Sequence, residues 1–215
     1  TDYLVGEVSS TGLVTPNGLG SMQVTASYKD LSTTLRVTVV GTPEEDLPPL
    51  TPGAKYLVRT ALDSHGFLIR WAEGLTTVWV DPAVPLDSVR MALDSLSTTS
   101  GGLFSYEFVA DSALARISVV LDEASFGSSK ACGRAPVTVE GYLRTRGRVV
   151  LRNNLDCADP ALIAHEVLHL MGLTGHSEEK YDVLAPVARW PVTYDTGQAF
   201  RWILSVRPGT VPLFR

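Results

Sequence analysis

The chain of 215 residues is 45% hydrophobic and 19% charged, a balance that can bury a sizeable core and excludes a disordered chain. Lys and Arg number 18 against 23 Asp and Glu, giving a net charge of -5 and a pI near 5.3. With no basic run, this argues against a nucleic-acid binder that tracks phosphates, and no apolar stretch approaches the roughly 20 residues a membrane-spanning segment needs.

The opening residues Thr1-Asp2-Tyr3-Leu4-Val5 lack the basic and apolar regions of a signal peptide and an initiator Met, so the start reads as processed or trimmed. Residues 1–41 are rich in Thr, Ser, Val and Gly. Apolar and polar residues alternate in Ser21–Tyr28 and again in Thr34–Val40, with turn signals at Pro16-Asn17-Gly18 and Lys29-Asp30. That pattern predicts short, half-buried strands. From Gly6 to Val40 the segment resembles the C-terminal half of a bacterial immunoglobulin-like domain of the Big_2 type. Three or four strands cannot close a sandwich alone, so the resemblance implies a partial module. Residues 42–52 contain four prolines and three acids and read as a solvated, stiffened linker.

From 53 to 215 strand and helix signals alternate. Thr76–Val80, Phe104–Val109, Ala115–Leu121 and Arg148–Arg152 read as strands. Val89, Ala92, Leu93 and Leu96 recur at helical spacing after Pro85, and Gly101-Gly102 ends that helix. A further helix opens with Asp159 as N-cap and Pro160 in its first turn and stops at Gly172. A last helix is expected over Thr196–Ser205. The pattern is a twisted sheet with a few helices, and the expected fold class is α+β. The two cysteines, Cys132 and Cys157, contain no C-x-x-C. Their number alone leaves a disulfide and a pair of buried thiols equally open.

The chemistry concentrates in His165-Glu166-Val167-Leu168-His169. Residues four apart share one helix face, so both imidazoles can reach one ion. Glu166 sits where it can polarise water without ligating the metal. A catalytic zinc takes three protein ligands and leaves a fourth position open, so one more must come from beyond the helix. His176 offers it, just past Gly172 and Gly175. Asp182, Glu178 and Glu179 are the reserve, since carboxylate oxygen also binds zinc. A random H-E-x-x-H arises about three times per thousand chains of this composition, and three of the four histidines fall in one short window.

His165-Glu166-Val167-Leu168-His169-Leu170-Met171-Gly172-Leu173-Thr174-Gly175-His176-Ser177 resembles the metzincin signature H-E-x-x-H-x-x-G-x-x-H, closest to the matrixin group with its His-Ser ending. The similarity extends over most of 65–215. It implies a zincin-like catalytic domain, a mixed sheet with an active-site helix and a C-terminal helix, in which His165, His169 and His176 are ligands of one catalytic Zn2+ and Glu166 is the general base. It further implies that the edge strand Arg148–Arg152 pairs with an extended substrate, and that Val187–Tyr194 lines the pocket beyond the scissile bond, with Trp190 and Tyr194 equally readable as core. Cys132 and Cys157 would then clamp the loop before that strand to the start of the active-site helix, which favours the disulfide. Two features depart from the signature. Three residues, Leu173-Thr174-Gly175, separate the glycine from the third histidine where the family has two, so Gly175 is expected to bulge out. Leu184, in Tyr181–Pro186, stands where the family has its Met-turn methionine.

His65 is expected at the surface, and with no other histidine left over a second, structural zinc is not expected. Loops containing Asp111, Asp122, Glu123, Asn153 and Asn154 leave Ca2+ open but do not indicate it, because they form no dense acidic loop. No cysteine precedes residue 132, so no cysteine-switch segment is expected within this sequence. Together these observations predict a secreted or cell-surface bacterial zinc endopeptidase acting on a protein or peptide substrate. The alternative is a catalytically inactive or weakly active metalloprotease-like surface adhesion or binding protein. The sequence gives no sign of the oligomeric state.

Overall fold

The computed structural model describes residues 6–9, 12, 14–16, 20–39, 49–154 and 157–212. Its first four strands form two separate antiparallel ladders, β1 (Gly6–Val8) with β2 (Val14–Pro16) and β3 (Gly20–Tyr28) with β4 (Leu31–Val39). The alternation read from the sequence places Val24 opposite Leu35 and Tyr28 opposite Leu31. Lys29, at φ 52°, turns the chain between them. Tyr28, Leu31 and Leu35 are exposed. Most of the linker segment, 42–48, lies outside the described residues.

Residues 49–154 and 157–212 fold around one hydrophobic core as a mixed α and β structure. In chain order they give α1 (Pro52–Arg59), β5 (Arg70–Trp71), β6 (Thr76–Val80), α2 (Leu86–Thr99), β7 (Tyr106–Phe108), β8 (Ile117–Leu121), β9 (Gly133–Arg134), β10 (Val137–Glu140), β11 (Leu143–Leu151), α3 (Pro160–Met171) and α4 (Tyr194–Ser205). Strands β7, β6, β8 and β11 lie side by side in that order and run parallel, and β10 closes the sheet antiparallel to β11. β5 pairs with the start of β11 and β9 with its end. One sheet face presents Val78, Ile117, Val119, Val149 and Leu151 to the helices, all fully buried. The other carries a smaller cluster of Val120, Phe126 and Val150 against Trp79. Among the described residues no helix is long and apolar enough to cross a membrane.

The helix signals act as expected. In α2 the buried residues are Val89, Ala92, Leu93 and Leu96, and Gly101 and Gly102 follow at positive φ. In α3 the Asp159 carboxylate accepts from the Ala161 N–H at 2.6 Å, and Gly172 ends the helix at φ 135°. A Cβ there would also stand 2.9 Å from the Ile69 carbonyl oxygen. α1 was not expected. Thr51, read as linker, is its N-cap, and Thr51 N–H donates to Gln198 Oε1 at 2.9 Å while its hydroxyl donates to Asp195 Oδ1 at 2.7 Å. Gln198 Nε2 returns a bond to the Pro49 carbonyl at 3.0 Å, so α1 is tied to α4 at its first turn.

One expectation is corrected. Arg148–Arg152 is not an edge, because this stretch of β11 lies between β8 on one side and β9 on the other. The edge is the 133–140 segment, whose two strands, of two and four residues with Ala135 and Pro136 between them, are too short to read as strands. The Cys132 carbonyl accepts from Arg152 N–H and the Pro136 carbonyl from Arg148 N–H, each at 2.9 Å. Antiparallel pairing alternates inward and outward backbone groups, so those of Gly133 and Ala135 point away from the sheet.

Cys132 and Cys157 form a disulfide that links the residue before β9 to the approach to α3. Closing a loop of this length removes chain entropy from the unfolded state worth about 3 kcal/mol. Denaturant unfolding of the Cys132→Ser/Cys157→Ser double variant is expected to show that loss, and an unchanged midpoint would contradict it.

Candidate metal centre

Helix α3 brings His165 and His169 onto one face, one turn apart. His165 Nδ1 lies 2.8 Å from the Val183 carbonyl and His169 Nδ1 lies 2.6 Å from the Leu173 carbonyl. A carbonyl only accepts, so each Nδ1 carries the hydrogen and each Nε2 presents a bare lone pair. Those two Nε2 atoms are 2.9 Å apart. Two lone pairs at that distance repel unless a positive species is shared between them. A proton is a poor occupant, because burial holds the His169 pKa down to about 4, assisted by His165, and lowers that of His165 as well. A metal cation suits the donor set, and bonding each Nδ1 to a main-chain carbonyl is the arrangement that orients ligating histidines.

His176 completes the set. Its ring centroid is 5.2 Å from those of both other histidines, and the three donor atoms lie within 4.8 Å of one another. Among the described residues this is the one such group of His, Cys, Asp and Glu. Zinc–nitrogen bonds of 2.0–2.1 Å place tetrahedral donors about 3.3 Å apart, between the 2.9 Å of the His165–His169 pair and the 4.8 Å that bounds the set. The three histidines could therefore hold one metal ion, with the ligand number that a catalytic zinc takes.

The reserve ligands are placed elsewhere. Asp182 is fully buried, but its carboxylate accepts from Thr196 Oγ1 at 2.5 Å, from Thr193 Oγ1 at 3.1 Å and from Thr193 N–H at 3.3 Å. It fastens the 182–185 turn to the start of α4. That turn carries the Val183 carbonyl used by His165, and Leu184 is fully buried within it, its carbonyl accepting from Ser177 N–H at 2.8 Å. Glu178 and Glu179 are exposed and line a separate concavity beside α1.

Glu166 is buried and faces the same cleft as the three histidines, a cavity of about 780 Å³. Burial alone pushes its pKa up to about 7, so near neutral pH this carboxyl is poised to take and release a proton. β9 forms the opposite wall, and a Cβ on Gly133 would stand 2.4 Å from Glu166 Oε1. Arg144, also buried and missed in the sequence, donates from Nη1 to the His169 carbonyl at 2.6 Å. Its cation sits at the C-terminal end of α3, where the helix dipole is negative. Burial lowers its own pKa.

Of the Val187–Tyr194 segment expected to line the cleft, Val187 and Ala188 do so, next to Pro186 just before it. Trp190 instead packs on the core, and Tyr194 is exposed beside a second depression on α4. His65 is exposed. The Asp111 and Asp122 carboxylates each cap one turn of 3₁₀ helix, and Glu123 pairs with Arg152 at 3.2 Å. No protein-family model and no curated protein matches the chain.

Zinc titration by calorimetry is expected to give one ion per chain and a raised melting temperature, a gain of about 4 kcal/mol at a thousandfold excess over Kd. His165→Ala and His169→Ala are each expected to abolish that gain. A melting temperature indifferent to zinc would contradict the site.

Proposed function

We propose that the chain is a zinc-dependent endopeptidase of the metzincin kind, secreted or at a bacterial cell surface. The observation that carries the reading is the pair of bare Nε2 atoms converging at 2.9 Å beside a buried, uncoordinated glutamate. A structural site with four protein ligands has no use for Glu166, whereas hydrolysis needs a base at this place. The disulfide supports an oxidising compartment.

Zinc bound by His165, His169 and His176 would supply the Lewis acidity that activates water and polarises the substrate carbonyl. The remaining roles belong to the chain. The outward backbone groups of Gly133 and Ala135 hold an extended peptide by strand addition, which lays its scissile carbonyl across the cleft. A carboxylate oxygen of Glu166 accepts a proton from the attacking water and returns it to the leaving amine nitrogen. The closed wall formed by β9 keeps bulk water from Glu166, which is why its affinity for that proton is raised.

The alternative, an inactive adhesion or binding protein, draws on the exposed Tyr28, Leu31 and Leu35 of the β3–β4 ladder. It assigns no work to Glu166.

Cleavage of unfolded casein tests the reading. Wild type should cut, a zinc chelator should abolish cutting, and Glu166→Ala should lower kcat at least about 10³-fold with zinc retained. Zinc-loaded wild type that leaves casein intact would favour the adhesion reading. Gly133→Ala, which drives a methyl into the Glu166 carboxylate, is expected to lower kcat about 10- to 100-fold with little change in zinc affinity. Full activity in that variant would contradict the close approach.

A further inference from the structure

The loop that presents His176 rests on a helix outside the histidine motif. Thr174 Oγ1–H donates to the Thr60 carbonyl at the C-terminal end of α1. A Cβ on Gly175 would stand 2.4 Å from Thr60 Cγ2 and 3.0 Å from Thr60 Cβ. Leu173 is held from the other side, its carbonyl accepting from His169 Nδ1. Each of the three residues between Gly172 and His176 therefore has a fixed neighbour. Gly175 is not among the residues at positive φ, so the demand for glycine there comes from the space left by Thr60 and not from backbone conformation. Thr60 has little freedom to yield. Its hydroxyl donates to the Leu57 carbonyl at 2.7 Å, and Leu57 and Val58 are buried in the core.

We propose that Thr60 is a positioning residue for the third metal ligand: the end of α1 seats the Thr174–Gly175 segment and thereby sets His176 against His165 and His169. The inference rests on the zinc reading above. It also gives the extra residue of the 172–176 loop a place, because Gly175 lies against α1 and the histidine keeps its position.

The test is the zinc dissociation constant of the full chain, measured by competition with a chromophoric chelator. Gly175→Ala is expected to weaken zinc binding 10- to 100-fold, the range typical for the supports of metal ligands. In a Thr60→Gly background, which empties the space that the new methyl needs, Gly175→Ala should lie within about twofold of Thr60→Gly alone. In a His176→Ala background it should have no further effect, since the ligand through which it acts is gone. An unchanged dissociation constant in Gly175→Ala, or a loss that persists in either background, overturns the proposal. Should Gly175→Ala fail to fold, Thr174→Val carries the test: removing the hydroxyl should weaken zinc several-fold, and wild-type affinity would overturn the proposal. Wild type that takes no zinc from the chelator overturns the metal reading itself, a result distinct from every one of these.

Discussion

The two hydrogen bonds from His165 and His169 to main-chain carbonyls set the state of everything else in the cleft. They fix both tautomers at once and leave two Nε2 lone pairs facing each other at 2.9 Å. The acceptors come from different places in the chain. Leu173 follows α3 directly, whereas Val183 lies in a turn held down by Asp182 against Thr193 and Thr196 at the start of α4. Convergence of the imidazoles is thus a property of helix, loop and turn together. Any change that lets one carbonyl drift frees a ring to adopt the other tautomer, and with it the pressure toward a cation is lost.

The same helix is approached closely by backbone on several sides. β9 passes at Gly133 against Glu166, β11 at Gly147 against Leu170, and the residues before β5 pass Gly172. In each case a single methyl would meet an atom within 3.0 Å. Glu166 owes its burial to this enclosure, and burial gives it a pKa near 7. The disulfide at Cys132 fixes the position of the wall next to the glycine that touches it. Packing and proton affinity are here one constraint.

Much of this was legible in the sequence because it is local. Asp159, Pro160 and Gly172 bound α3 as their capping chemistry dictates, and the spacing of His165 and His169 needs only the pitch of a helix. The edge of the sheet was not legible. Gly133-Arg134 and Val137–Glu140 become strands only because β11 offers them a partner. Arg144 was hidden for a related reason. The pairing of β10 with β11 passes from Thr138 opposite Arg146 to Val139 opposite Arg144, leaving Thr145 without a partner. That bulge shifts the alternation by one, so Arg144 turns to the buried side while Arg146 and Arg148 stay exposed. An arginine in a strand of alternating arginines gives no sign in sequence that one of them faces the helix.

The irregular spacing before His176 shows how the two kinds of information meet. An extra residue between a helix-ending glycine and a ligand is visible in the sequence and reads there as a defect to be absorbed. Its neighbour, Thr60, lies more than a hundred residues upstream, in a segment with no motif at all. Thr60 is fixed because α1 is fixed, and α1 is fixed because Thr51 is bonded to Asp195 and Gln198 on α4. The Asp182 carboxylate binds Thr193 and Thr196 at the start of that same helix. Through α4, then, one rigid element supports both the turn that orients His165 and the helix that seats the His176 loop. The spacing of the histidines can depart from the signature because their geometry is set by these supports, and a loop one residue longer changes only what it leans on.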